Sequence, residues 1–203
     1  MLEKLAKSAA RFFVAQNIVK SEYQEIYAYG MEILLSTMVN GIIVLIISIL
    51  SDTVLPSLIF FTAFIVMRSS AGGYHAKTHI GCMLILIAVH LSFIFLIRFI
   101  TIDAIPLFSY LAVAYSCISV YLFAPVEHPN KPLSNDDKKK LRMKSLIFVL
   151  IISVTVVIMI LFQHLEISFY LSCGVIVSST GMISEIISLK FENDNKGVVA
   201  KTK

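Results

Sequence analysis

The chain has 203 residues, a formal net charge of +4, 58% hydrophobic residues and only 15% charged residues. Soluble domains are about 45–50% apolar and about 25% charged, so a water-soluble globule of this size would leave too much apolar surface in water. The composition excludes a soluble enzyme and a disordered protein. It predicts an all-α, polytopic integral membrane protein that forms a single membrane-embedded domain over residues 1–203.

Residues 1–30 predict an amphipathic helical region that lies in the membrane interface, because apolar residues recur at helical spacing opposite charged ones. The first apolar stripe is Leu2, Leu5, Ala9, Phe12 and Phe13, and a second follows at Val19, Tyr23, Ile26 and Tyr27. An ordinary packed helix is the alternative interpretation.

Six apolar runs follow, and we expect each of them to cross the membrane as a helix. They are residues 33–50, 54–67, 80–97, 104–124, 146–162 and 167–189. A span needs about 20 apolar residues, with a range near 17–25. Run 54–67 is shorter and contains Pro56, so a re-entrant segment is its alternative.

The basic residues indicate the orientation of these spans. With six spans, sixteen of the seventeen Lys and Arg fall on one side, and only Arg98 falls on the other. Positive residues mark the cytoplasmic side. The sequence therefore predicts cytoplasmic termini, a cytoplasmic tail at 190–203 and cytoplasmic loops at 68–82 and 125–145. This segregation would be lost if 54–67 did not cross.

The loop 68–82 holds the densest cluster of reactive side chains in the chain. Gly72 and Gly73 permit backbone angles closed to other residues, and His75 is a candidate general base. Cys82 stands where the third span should begin, and the positive end of a helix dipole favours a thiolate there. Thiolate and base together are the minimum for nucleophilic acyl transfer.

Spacing alone leaves other interpretations of this loop open. On one continuous helix His75 and Cys82 would be about 10.5 Å apart, so the chain must turn back between them, which Gly81 permits. His79 competes as the base because it would neighbour Cys82 on a helix. His75, His79 and Cys82 would also share a helical face suited to a catalytic zinc ion. In a purely structural interpretation, the histidines lie at the wet interface and Cys82 is a small buried residue.

The loop resembles the signature of the accessory gene regulator protein B family (AgrB) at Arg68, at Gly72-Gly73-Tyr74-His75-Ala76 and at Cys82. A second match is segment 124–132, Ala-Pro-Val-Glu-His-Pro-Asn-Lys-Pro, followed by a basic run. The resemblance implies a membrane cysteine endopeptidase of Gram-positive quorum sensing, with no cofactor or metal. Such an enzyme cuts a short precursor peptide near its C-terminus and helps to cyclise the remainder.

The resemblance also implies the roles of single residues. His75 corresponds to the family's catalytic histidine, Cys82 to its nucleophile and Arg68 to the arginine upstream of the glycines. The thiolate would form a thioester with the peptide, and a cysteine of the peptide would close a thiolactone ring, or a serine a lactone. Nothing singles out the residue that orients His75, and Glu32 and Glu185 are the candidates.

A basic run in the loop 125–145 has two interpretations. It consists of Lys138, Lys139, Lys140, Arg142 and Lys144. It either anchors the loop to anionic lipid or docks the acidic tail of the precursor, whose N-terminus is amphipathic in this family. Nucleic acid is not an expected partner, because the run is short and tethered to the membrane.

Three further expectations concern the rest of the chain. Cys117 and Cys173 lie within spans and are expected to pack in the core. Ser178, Ser179 and Gly181 allow close approach of helices or subunits, and together with the family resemblance they imply a homodimer. A transporter with a re-entrant 68–82 loop and a zinc-dependent hydrolase are the alternatives to the peptidase.

Overall fold

The computed structural model describes residues 2–16, 18–73, 78–127 and 134–201, which are predominantly helical. Helix α1 spans Leu2–Ala15, and a 3-10 turn at Ser21–Tyr23 leads into α2, Gln24–Leu50. The other helices are α3 Val54–Ala71, α4 His79–Phe99, α5 Ala104–Phe123, α6 Asn135–Leu161 and α7 Leu165–Lys201. Helices α2 to α7 are long and apolar enough to cross a membrane, which confirms the predicted all-α polytopic architecture.

Helix α3 forms despite its short apolar run and its proline. Pro56 lies in the first turn, where a backbone N–H has no partner within the helix, so the missing donor costs nothing. The helix then continues beyond the apolar run to Ala71 and reaches 18 residues. Residues 68–71, which the sequence analysis assigned to a loop, are therefore helical.

Helix α6 begins earlier than the hydropathy indicated. The Ser134 hydroxyl accepts a hydrogen bond from the Asp137 N–H at 3.1 Å, a standard N-cap contact. Asp136 and Asp137 place negative charge in the first turn, where the helix dipole favours it. The basic run consequently lies on a helix and not in a loop. Hydropathy missed this because it detects only the apolar part of a helix, and α6 starts with polar turns.

The chain divides into two compact units, which we describe separately. The first contains residues 1–52 and 77–90. Within it, α1 packs against α2 and buries Ala6 and Ala10, whereas Leu5 and Phe12 stay more than half exposed. Part of the apolar surface of α1 is thus not covered by α2, and the position of this helix in the membrane interface stays a prediction. The second predicted stripe does not continue α1, because α2 already begins at Gln24.

The second unit contains residues 53–76 and 91–203 and is built around α7, which packs against α3, α5 and α6. Gly174 allows α7 to approach α3 closely, because a Cβ at this position would lie 2.5 Å from the Phe60 carbonyl oxygen of α3. Ser178 and Ser179 are buried within the chain, so they serve packing of its own helices. The apolar core comprises Ala63, Met67, Ala71, Val120, Ala124, Val149, Ile152, Val156, Ile160, Val175 and Met182.

Candidate active site

The glycine pair ends helix α3 in the second unit. The Gly72 N–H still donates to the Arg68 carbonyl at 3.2 Å, but Gly72 itself has φ +84° and ψ −175°. That region of backbone space is essentially restricted to glycine. Gly72 therefore turns the chain out of the helix and starts the loop 72–78, of which the structure describes Gly72, Gly73 and Thr78.

The 124–127 segment, which follows α5, packs directly against this turn. The Val126 N–H donates to the Ala71 carbonyl at 3.0 Å. A Cβ on Gly72 would lie 2.8 Å from the Val126 carbonyl oxygen, closer than real Cβ atoms approach. The two stretches that the sequence analysis matched to one family are thus in contact in the folded chain.

Arg68 lies over the second glycine. A Cβ on Gly73 would lie 3.1 Å from an Arg68 guanidinium nitrogen. The same guanidinium sits 5.6 Å from the centre of the Phe64 ring, within the range of a cation–π contact. Arg68 is therefore held beside the start of the loop, and Gly73 leaves the space that it occupies.

Cys82 lies in the first turn of α4, in the first unit, as its position in the sequence predicts. Thr78 caps this helix: its hydroxyl accepts from the Gly81 N–H at 3.0 Å, and its carbonyl accepts from the Cys82 N–H at 3.0 Å. The thiol is free and partly exposed. Sequence reasoning missed Thr78, although a threonine just before an apolar helical run is a recognisable N-cap signal.

His75 lies outside the described residues, so its predicted pairing with Cys82 stays a prediction. The same holds for the zinc set of His75, His79 and Cys82. Among the residues that the structure describes, no group of three or more His, Cys, Asp or Glu is placed to hold a metal ion. Of the two candidates for orienting His75, Glu185 is buried on α7 and Glu32 lines a cleft between α1 and α2.

The basic run separates into two groups on α6. Lys138 forms an ion pair with Glu127 at 3.0 Å, and the Arg142 guanidinium donates to the Tyr121 carbonyl at 3.3 Å. These two basic residues hold the last turn of α5 and the segment that follows it. Three others of the run, Lys139, Lys140 and Lys144, are exposed. Sequence reasoning treated the run as uniform, because charge alone does not show which lysine has an internal partner.

Comparison with known proteins gives one consistent result. The family model described as Accessory gene regulator B matches residues 4–189. An AgrB-like protein of Clostridium perfringens (strain SM101 / Type A) is 27% identical over 197 residues, which cover 95% of this chain and 89% of that protein. Protein FsrB of Enterococcus faecalis (strain ATCC 47077 / OG1RF) is 27% identical over 119 residues, 59% of this chain and 49% of FsrB. No solved structure gives a significant match.

Proposed function

The chain belongs to the accessory gene regulator B family, which takes part in quorum-sensing peptide processing, and on this premise we propose that it is a membrane cysteine endopeptidase. It cuts a short precursor peptide with Cys82 as nucleophile and His75 as general base. One observation carries the proposal: Cys82 is partly exposed in the first turn of α4, just after the loop that begins with the glycine pair.

The first chemical step converts a peptide bond into a thioester. His75 takes the proton from the Cys82 thiol, and the sulfur attacks the scissile carbonyl carbon. Backbone N–H groups near the glycine pair or Cys82 stabilise the oxyanion. The C–N bond then breaks, and the leaving amine takes the proton back from His75. The products are an acyl-enzyme thioester and the C-terminal fragment.

The second step closes a ring without water. A cysteine of the bound peptide attacks the thioester carbonyl, the Cys82 thiolate leaves, and the proton of the attacking thiol returns to Cys82 through His75. Exchange of one thioester for another is close to energetically neutral, so this step needs no ATP. The first step is uphill, and removal of the released fragment draws it forward. A serine in the peptide would give a lactone instead.

Positive charge in the second unit supports a peptide with an acidic tail as the substrate. Exposed Lys139 and Lys140 on α6 offer positive charge to it, and Arg68 offers a guanidinium beside the glycine pair. The distribution of Lys and Arg along the chain supports a cytoplasmic position for this loop and both termini. A homodimer belongs to this proposal on family resemblance alone, since Ser178 and Ser179 are buried inside one chain.

The test uses purified protein in lipid vesicles. The probe is a synthetic peptide with an amphipathic N-terminal segment, one internal cysteine and an acidic C-terminal tail. We expect intact mass analysis to show a hydroxylamine-labile adduct on the wild type. The adduct should be absent from Cys82→Ala, and peptide cleavage should fall at least a hundredfold in His75→Ala, about the scale of general base catalysis.

The matched control is Cys117→Ala. The Cys117 thiol contacts the Ser153 hydroxyl at 3.3 Å between α5 and α6, so its removal should leave the adduct in place. Wild-type cleavage rates in Cys82→Ala would disprove the peptidase mechanism. Loss of activity with a chelator would then point to the zinc hydrolase, and peptide transport without cleavage would point to the transporter.

A further inference from the structure

The 124–127 segment is held from two sides within the second unit. On one side the Val126 N–H donates to the Ala71 carbonyl at 3.0 Å, immediately before the glycine turn. On the other side the Glu127 carboxylate meets the Lys138 ammonium at 3.0 Å. The segment therefore connects the basic end of α6 to the start of the loop 72–78.

Lys138 and Arg142 act on the same stretch of chain. They are four residues apart, so they share one face of α6. Lys138 contacts Glu127 in the segment after α5, and Arg142 donates to the carbonyl of Tyr121 in the last turn of α5, so the two contacts hold the end of α5 and the segment that follows it. Lys139 lies on a different face and is exposed. Lys138 and Lys139 thus differ in the structure, since only Lys138 is shown in an ion pair with Glu127, although the sequence alone does not distinguish them.

The ion pair is poorly placed to act as a source of stability. The Lys138 and Glu127 side chains are 43% and 38% exposed, and water screens a pair of this kind. The position of the pair matters more than its strength. Glu127 directly follows Val126, whose N–H donates to the Ala71 carbonyl and whose carbonyl oxygen packs against Gly72. A shift of Glu127 would move Val126, and with it the carbonyl that packs against Gly72.

We propose that Glu127 and Lys138 are positioning residues, whose ion pair holds the 124–127 segment against the glycine turn and so fixes where the loop 72–78 begins. This inference rests on the proposed function and assigns Lys138 a role inside the enzyme. The acidic tail of the peptide is left to exposed lysines of the run, such as Lys139 and Lys140.

A charge exchange tests this directly. Glu127→Lys and Lys138→Glu each put two like charges together, and each should lower kcat by about tenfold or more, the scale of a small misplacement of reacting groups. The apparent KM for the peptide should change much less. The double variant Glu127→Lys/Lys138→Glu restores an opposite pair, and its kcat should return to within about threefold of the wild type.

Lys139→Glu is the matched comparison, because it makes the same charge change one residue away. Its main effect should be a higher apparent KM for the acidic peptide, and Glu127→Lys should not rescue it. If Lys138 instead contacts the substrate, Lys138→Glu will raise KM and the double variant will be as poor as the single ones. That result would overturn the proposal.

A second measurement does not depend on activity. The Val126 amide should be protected from hydrogen exchange by its bond to Ala71. Hydrogen exchange in the proteolytic fragment of the enzyme that covers residues 124–127 should rise in both single variants. It should return to the wild-type level in the double variant. Unchanged exchange in all three would also overturn the proposal. If the wild type forms no Cys82 adduct, the proposed function fails, while the exchange measurement still tests the ion pair.

Discussion

Gly72 and Gly73 each lie close to a different neighbour. Gly72 has a backbone conformation that other residues avoid, and the Val126 carbonyl fills the space that a Cβ would need. Gly73 has no such dihedral angle, but a Cβ there would lie 3.1 Å from an Arg68 guanidinium nitrogen, so the arginine side chain would have to shift slightly. Gly41 on α2 is the opposite case, since nothing lies within 4 Å of its Cβ position.

Gly72→Ala should therefore impair the enzyme much more than Gly41→Ala. The backbone strain at Gly72 alone costs about 1–3 kcal/mol, and the contact with Val126 adds to it. We expect peptide cleavage to fall at least tenfold in Gly72→Ala, whereas Gly41→Ala keeps the wild-type rate because alanine favours helix. The measurement is the initial rate of cleavage in lipid vesicles. Equal rates in the two variants would contradict the assigned contacts.

Among the elements, α7 determines the packing of the second unit. It buries a larger share of its apolar stretch within the chain than α3, α5 and α6 do. It runs between the other helices and must approach α3 closely, which Gly174 permits. Here the backbone of one helix meets the backbone of another, so no side-chain rearrangement can make room.

Gly174→Ala should destabilise the protein by about 1–3 kcal/mol, the usual range for added atoms in a packed core. The new Cβ would lie 2.5 Å from the Phe60 carbonyl oxygen and 2.8 Å from the Ala63 Cβ, so α3 and α7 would have to separate. The measurement is thermal unfolding in detergent. Gly30→Ala, where nothing lies within 4 Å, is the control, and a shared melting temperature would refute the close approach.

For the whole molecule, the connections follow an alternating pattern of lengths. The connections at 51–53, 100–103 and 162–164 are short, whereas 72–78 and 124–134 are longer. If every span crosses the membrane, the longer connections share one side with the basic run. The proposed chemistry then lies on that side, and the opposite side carries only tight turns.

Cysteine labelling in whole cells tests this arrangement. Starting from a chain with Cys82, Cys117 and Cys173 changed to alanine, Thr101→Cys should react with a maleimide that does not cross membranes. Asp136→Cys should react only after the cells are permeabilised, because the proposed topology, which follows the positive-inside rule, has the N-terminus of α6 in the cytoplasm. The reverse labelling would invert the proposed topology.

The sequence was sufficient to predict the order of the long apolar helices found among the described residues, since apolar length is the signal that a bilayer imposes. It also indicated that α3 crosses, although Pro56 lies in its run. It did not show that α6 starts at Asn135, because the polar turns there carry no hydropathy signal, and only the Ser134 cap marks them. The contact of Val126 with Ala71 was out of reach, because a backbone hydrogen bond leaves no trace in residue type.

The hydrogen bond between Val126 and Ala71 also limits how parts of related proteins can be exchanged. Consider a chimera that takes the loop 72–78 from a relative. Its glycine turn would come from a protein in which it packs against a different segment at the position of 124–127. We therefore expect such a chimera to keep the contact only when both stretches are exchanged together with Lys138, the partner of Glu127 on α6. Crossover points for recombination should therefore lie outside these contacting stretches, at helix positions with exposed side chains, which make fewer contacts within the chain.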